Sequence, residues 1–243
     1  MTEAQHARTA VITGASSGIG AATARALSAQ GHRVGLLARR GERIRALASE
    51  LGEQALAIEA DVTDRDSLVA AAAQVEERLG RAEILINNAG VMLLGPFSTE
   101  QRDDYRRMVE VNLLGAITAT EVFLPQLRDG GGDLINISSV AGRTARPGNA
   151  VYAATKWGLG GFSESLRQEL HPDIRVMLIE PGAVATELSE HITHAETKQT
   201  VQAFGREIAI AAEEIAEVIA FAISRPRSVT LNEILVRPTA QLG

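Results

Sequence analysis

Short apolar runs alternate with longer helix-forming stretches along most of the chain. The runs at 10–13, 34–38, 55–59, 84–87, 134–138, 176–180 and 233–236 predict seven strands. The stretches at 19–30, 42–51, 64–79, 101–128, 151–171 and 212–224 predict helices between them. The strand runs are apolar on both faces, as strands are in a parallel sheet covered from both sides. Alternating strands and helices joined by right-handed crossovers then predict an α/β fold, a Rossmann-type doubly wound seven-stranded parallel sheet with helices on both faces. Gly130-Gly131-Gly132 reads as a helix-ending loop, because a strand follows at once. No linker or repeat divides the chain, so all 243 residues are expected to form one domain.

Composition narrows the classes of function. Hydrophobic residues make up 45% of the chain, enough for a sizeable core. A net charge of −6 argues against a nucleic-acid or anionic-membrane partner. There is no cysteine, hence no disulfide, thiolate metal site or catalytic thiol. Residues 1–8 are polar and lack a signal-peptide core, and no apolar run reads as long enough to span a bilayer. The expected location is the cytoplasm.

Two groups of residues carry chemistry. Thr13-Gly14-Ala15-Ser16-Ser17-Gly18-Ile19-Gly20 falls where the first predicted strand turns into the first helix. Free backbone N–H groups and the helix dipole favour a phosphate at such a turn. Gly14 permits the turn, Gly18 lets a pyrophosphate approach, and Gly20 lets helix pack on strand. The spacing is G-x-x-x-G-x-G, which the G-x-G-x-x-G pattern does not match literally, and a ligand-free turn is the alternative. Tyr152 and Lys156 stand at i and i+4, on one face of a helix, with Ser139 thirteen residues before the tyrosine. An ammonium beside a phenol is expected to lower the phenol's pKa, and a serine hydroxyl can bond a substrate oxygen. Together they can move a proton to or from an alcohol or carbonyl oxygen.

Thr13-Gly14-x-x-x-Gly18-x-Gly20, Asn87-Asn88-Ala89-Gly90, Asn112, Ser139, Tyr152-x-x-x-Lys156 and Pro181-Gly182 follow one another in the order and spacing of the short-chain dehydrogenase/reductases. The chain resembles that family from about 9 to 238. Within it the similarity is greatest to the NADP-dependent carbonyl reductases, with the clavulanic acid and 3-hydroxy acid dehydrogenases. The shared details are Ala38-Arg39-Arg40, Met92-Leu93-Leu94-Gly95-Pro96, His191-Ile192-Thr193-His194 and the 232–238 ending.

The cofactor implied is NADP(H). Where NAD-using relatives carry an aspartate, this chain has Ala38 followed by Arg39 and Arg40, and a guanidinium suits a 2′-phosphate. Arg39 is expected to be the main contact and Arg40 the secondary one. Ser17 stands where some NADP-using relatives have a basic residue. Ser16, Ser17 and Ile19 complete the phosphate cradle by resemblance. Asp61 and Val62 are implied to hold the adenine, with a cap for the helix near Asp64 as the lesser alternative for Asp61. Asn88, Ala89 and Gly90 are implied to line the adenosine ribose, with Asn87 left to turn chemistry. Pro181, Gly182, Val184 and Thr186 are implied to fix the nicotinamide carboxamide.

The resemblance also implies a catalytic set. Tyr152 exchanges the proton, Ser139 bonds the reacting oxygen, and Lys156 tunes Tyr152 and holds the nicotinamide ribose. Asn112 holds a water that completes the relay, while Ser138 points away and is structural. Met92, Val140 and Arg143, with Ser139 and Tyr152, are expected to contact substrate. Leu93, Leu94, Gly142 and Arg146 flank them, and both arginines read equally as solvated. The segment 187–206 is expected to be a polar lid. His191 and His194 are thin support for a metal without a third ligand, so no metal is expected.

The implied activity is reduction of an aldehyde or ketone by NADPH. The alternatives are an NADP-dependent alcohol or 3-hydroxy acid dehydrogenase working oxidatively, and a non-catalytic NADP(H) sensor. The partners expected are a small-molecule substrate and further copies of the chain, in a homotetramer or a dimer.

Overall fold

Val11 and Ile12 are adjacent, apolar and fully buried, as are Leu85 and Ile86. Neighbouring strand residues point to opposite faces, so strands built this way need cover on both sides. The computed structural model describes residues 7–242, and the polar start at 1–6 lies outside them. Its strands are β1 (Thr9–Thr13), β2 (Arg33–Ala38), β3 (Ala55–Glu59), β4 (Ile84–Asn87), β5 (Gly132–Ile137), β6 (Ile174–Pro181) and β7 (Glu233–Val236). They form one parallel sheet in the order β3-β2-β1-β4-β5-β6-β7. Each expected strand is present to within two residues at either end.

The helices divide between the two faces. Helices α1 (Gly18–Ala29), α2 (Gly41–Leu51) and α8 (Ala212–Ile223) cover Ile12, Leu36, Ile86, Ile135 and Met177. Helices α3 (Arg65–Leu79), α4 (Arg102–Val109), α5 (Gly115–Arg128) and α6 (Ala150–Glu169) lie on the opposite face, where Val11, Leu37, Leu85, Leu134 and Val176 point. The apolar runs are therefore split residue by residue between two cores, which period-2 geometry requires.

Three features depart from the expected elements. The helix expected over 101–128 is broken by a π turn at Glu110–Leu114, where the Gly115 N–H bonds back to the Glu110 carbonyl. By length and composition the stretch Thr99–Arg128 is apolar enough to cross a membrane, contrary to the expectation above. Here it packs Met108, Val111, Ala119, Phe123 and Leu127 into the core. Finally, the expected lid contains helix α7 (Ala195–Ile208), which buries no residue. Val201, Phe204 and Ile208 fall at helical spacing along it, yet none of them enters the core.

The amino ends of the strands are fastened by charge. Asp133 on β5 stands opposite Arg175 on β6 and is fully buried. Arg175 Nε and Nη2 donate to its two oxygens, each at 2.7 Å. Arg8 adds a bond at 2.6 Å and Arg227 one at 3.0 Å. Arg175 also donates to the carbonyls of Ile223, Arg225, Pro226 and Val229, closing the turn that leads into β7. Replacing Asp133 with Asn strands the buried Arg175 and should lower stability by about 3–5 kcal/mol. Arg227→Gln, at the half-exposed edge of the cluster, should cost about 1 kcal/mol or less. Equilibrium urea unfolding of the two variants checks the contrast, and equal losses would contradict this account of the cluster.

Candidate active site

β1 lies between β2 and β4, so the chain leaves β3 at one edge and crosses β1 to begin β4. Ligands collect outside the carboxyl ends of strands at such a switch point. A cleft of about 1020 Å³ opens there. Its floor is a polar brace between the ends of β1 and β4. Thr13 Oγ1 accepts from the N–H groups of Asn88 at 3.0 Å and Ala89 at 3.1 Å. Asn88 Nδ2 donates to the carbonyls of Thr13 at 3.0 Å and Gly14 at 3.2 Å. Gly14 has φ of 68°, and a Cβ there would lie 2.8 Å from Ala89 Cα. Gly18 has φ of 54°, and its Cβ would lie 2.9 Å from Thr186 Cγ2. The glycine turn is thus gripped from both sides in a conformation that side chains resist.

Ser17 precedes α1 and makes no side-chain cap, and the first turn of the helix carries no acidic residue. Its free N–H groups and positive end adjoin the cleft that Ser16, Ser17, Gly18 and Ile19 line. This cradle fits the pyrophosphate of a dinucleotide.

At the adenosine end the structure seats Arg40, rather than Arg39, on the glycine loop. Arg40 Nε donates to Ser16 Oγ at 3.0 Å, and Nη2 donates to Ser16 Oγ at 2.9 Å and Ser17 Oγ at 2.7 Å. Arg39 also lines the cleft but is 57% exposed, with Asp61 at 3.7 Å. Asp64 caps α3, accepting from Asp66 and Ser67 N–H, so Asp61 is free of that duty. Asp61 instead bonds Thr63 and lines the cleft beside Val62.

At the other end Asn112, Ser139, Tyr152 and Lys156 come together from three elements. One turn of α6 separates Tyr152 from Lys156, whose Nζ lies 5.8 Å from the tyrosine ring centre. Lys156 Nζ donates to the Ile137 carbonyl at 2.8 Å. The extended end of β5 sends Ser138 to the Lys156 carbonyl at 3.2 Å and Ser139 to the Tyr152 hydroxyl. Asn112 sits in the π turn, and its side chain is fully engaged. Its Oδ1 accepts from Val91 N–H at 2.7 Å, and its Nδ2 donates to the Val91 carbonyl at 2.8 Å and Thr155 Oγ1 at 3.3 Å. These side-chain bonds tie the segment after β4 to α6.

Burial decides the electrostatics. It raises the Tyr152 pKa, against a smaller opposing effect of the Ser139 hydrogen bond. It lowers Lys156 to about 8. The expected lowering of Tyr152 by Lys156 does not emerge, because the ammonium is aimed at Ile137 and desolvation of the phenol dominates.

On the substrate side Met92, Leu94 and Val140 line the cleft. Leu93 is buried in the core against Met108. The expected contact from Arg143 is corrected. Its Nε donates to both oxygens of the buried Glu180, at 2.8 and 2.9 Å, and its Nη2 to Glu233, which aims it away from the cleft. Gly142 and Arg146 also fall outside the lining, because the tight turn after Ser139 carries them past it.

Pro181, Gly182, Val184 and Thr186 line the cleft where the chain leaves β6. From there 186–208 forms an excursion closed at its root, where Ala185 N–H donates to Ile210 O at 2.9 Å and Ile210 N–H to Ala183 O at 3.1 Å. His191 faces the cleft, while His194 Nδ1 caps α7 through Thr197. Arg107 and Gln241 are among the lining residues that went unforeseen, and Glu187 was foreseen only as part of the lid. Arg107 rides on α4, Gln241 accepts from Ala183 N–H at 2.9 Å, and Glu187 bonds Arg40. The charge on Arg107 and Glu187 was the only signal for them, and Gln241 gave none.

The short chain dehydrogenase family profile matches residues 8–197. A serine 3-dehydrogenase of Agrobacterium fabrum is 36% identical over 235 residues, covering 96% of this chain and 94% of its own. The closed form of a serine dehydrogenase complexed with NADP+ superposes with a TM-score of 0.89 at 32% identity, over 96% of each chain. An alcohol dehydrogenase from the archaeon Thermococcus sibiricus, complexed with 5-hydroxy-NADP, gives 0.88 at 29% identity, over 98% of this chain and 99% of that one.

The depressed Lys156 pKa has a measurable cost. Between pH 8 and 10.5 the folded chain binds fewer protons at this site than the unfolded chain, so this contribution to stability rises with pH across that window. Below pH 8 the burial penalty is felt in full. Lys156→Met should therefore be more stable than the parent at pH 7, by up to about 3 kcal/mol. The gain should shrink as pH rises past 8. Thermal unfolding at pH 7 and pH 10 tests this, and a variant less stable at both would contradict it.

Proposed function

The chain belongs to the short-chain dehydrogenase family, and from that premise we propose that it is an NADPH-dependent oxidoreductase reducing an aldehyde or ketone to an alcohol, reversibly. The observation that carries this reading is a single cleft with a guanidinium seated on the glycine loop at one end and Ser139, Tyr152 and Lys156 at the other. The glycine loop and the α1 amino end would hold the pyrophosphate. Arg40 and Arg39 would read the 2′-phosphate, with no carboxylate at the end of β2 to oppose it. Asp61 and Val62 border the adenine end, Asn88, Ala89 and Gly90 the ribose, and 181–186 the nicotinamide end. When bound, the nicotinamide supplies or accepts the hydride.

The protein's own residues handle the proton. A neutral phenol is the right form for a donor, and burial keeps Tyr152 neutral. It bonds the carbonyl oxygen and releases its proton as negative charge grows there. Ser139 already bonds Tyr152 and provides a second donor to the same oxygen. Lys156, with a pKa of about 8, is largely cationic at neutral pH and would stabilise the phenolate once its ammonium turns from the Ile137 carbonyl toward the phenol. Asn112 fixes Val91 and Thr155, and so positions α6 against the cleft. The excursion at 186–208 serves as the substrate lid. Exposed Val109, Leu114 and Trp157 on the outer helices support assembly with further copies of the chain.

A second reading runs the same residues oxidatively, on an alcohol or 3-hydroxy acid, and the similarity to serine and alcohol dehydrogenases favours keeping it. The retained tyrosine, lysine and serine weigh against a sensor without turnover.

The test follows NADPH and NADH oxidation with a panel of aldehydes and ketones, and the reverse reaction with alcohols and 3-hydroxy acids. Tyr152→Phe should lower kcat about 100-fold or more while leaving the Kd for NADPH within about twofold. Substantial residual turnover would refute the assigned proton donor. Arg40→Ala should raise the Kd for NADPH about tenfold or more and leave that for NADH nearly unchanged. Arg39→Asp should favour NADH, and a ratio unmoved in both variants would refute the NADP assignment.

A further inference from the structure

One carboxylate links the cofactor end of the cleft to the root of the lid. Glu187 is the first residue of the turn Glu187–His191, immediately after Thr186. Its Oε2 accepts from Arg40 Nη1 at 2.7 Å and its Oε1 from Arg43 Nη1 at 2.6 Å. Arg40 meanwhile spends Nε and Nη2 on Ser16 and Ser17. Four of its five N–H donors are thereby engaged. A phosphate placed on Arg40 must share this guanidinium with Glu187 or displace it. The two arginines hold the Glu187 pKa at about 2, so the competitor carries its full charge at neutral pH. The same root presses on the glycine loop through Thr186, whose Cγ2 bars a Cβ at Gly18.

We propose that Glu187 is a specificity-determining residue, competing with the 2′-phosphate for Arg40 and Arg43 and giving up its clasp on the lid root when that phosphate binds. The inference rests on the reading that the cleft takes a 2′-phosphorylated dinucleotide. A phosphate monoester carries nearly two charges and three strong acceptor oxygens, against one charge on the carboxylate. The clasp is partly exposed on all three side chains, and ion pairs of that kind are individually weak. The phosphate therefore wins the exchange, and an unphosphorylated dinucleotide leaves the clasp closed. Glu187 sets the size of the preference, because each phosphorylated ligand must first break its two ion pairs.

The experiment compares adenosine 2′,5′-bisphosphate with adenosine 5′-monophosphate, which differ only in the 2′-phosphate, on the full chain. Calorimetry on Glu187→Gln should show the bisphosphate bound about threefold more tightly or better, with the monophosphate within twofold of the parent. Hydrogen–deuterium exchange across 187–191 of the parent should accelerate about threefold or more with the bisphosphate and stay unchanged with the monophosphate. The variant should exchange fast from the start. Weaker bisphosphate binding by Glu187→Gln, or exchange across 187–191 that slows or holds constant in the parent, would overturn the clasp while leaving the NADP reading intact. Equal binding of the two nucleotides by the parent would overturn the NADP reading and the clasp with it.

Discussion

The cleft depends on the hydrogen bonds that join Thr13 and Gly14 to Asn88 and Ala89. At the carboxyl ends of β1 and β4 the sheet stops pairing, and backbone groups that would have bonded across the strands lose their partners. Thr13 Oγ1 and Asn88 Nδ2 supply those partners. They hold the glycine turn against Ala89 so tightly that a Cβ at Gly14 has no room. With the turn fixed, the amino end of α1 adjoins the cleft, Gly18 meets Thr186, and Gly90 comes beside Asn112 and Lys156. One polar brace thus sets the distance between the phosphate cradle and the proton-transfer residues.

The two ends of the sheet answer buried charge in opposite ways. At the amino ends Asp133 meets Arg175, Arg8 and Arg227, and each carboxylate oxygen is satisfied. At the carboxyl ends Lys156 is buried with one carbonyl and no carboxylate, and Tyr152 is buried beside Ser139. Unpaired burial brings Lys156 toward neutrality and keeps the Tyr152 phenol protonated, as a proton-transfer site needs, at a cost in stability. The paired cluster at the other end offsets such costs by fastening β5, β6 and the approach to β7. Arg143 extends the same economy toward the cleft, neutralising Glu180 one residue before Pro181 and so anchoring the nicotinamide-side loop.

The apolar runs determined the sheet. Val11-Ile12 and Leu85-Ile86 leave no polar face, and only a parallel sheet with helices on both sides buries such strands. The glycine spacing and the Tyr152–Lys156 interval are local, so turn and helix geometry alone carried them into the right places. The lid helix was not predicted: its apolar positions, Val201, Phe204 and Ile208, stand among polar residues in a segment read as a polar lid, and none of them is buried. Nor was the π turn, since the chain from Glu110 to Leu114 reads as ordinary helix and only packing around Asn112 distinguishes it.

What the sequence determined by itself was therefore whatever depends on near neighbours: the strands, the phosphate turn, and the tyrosine–lysine pair. Tertiary structure alone decided where the long charged side chains point. Arg143 was expected at the substrate, yet Glu180 and Glu233 draw it away from the cleft, while Ser16, Ser17 and Glu187 seat Arg40 on the glycine loop and Arg39 lies beside Asp61. An arginine has many rotamers of similar energy, and the choice among them is made by partners distant in sequence: 37 residues away for Glu180 and 147 for Glu187.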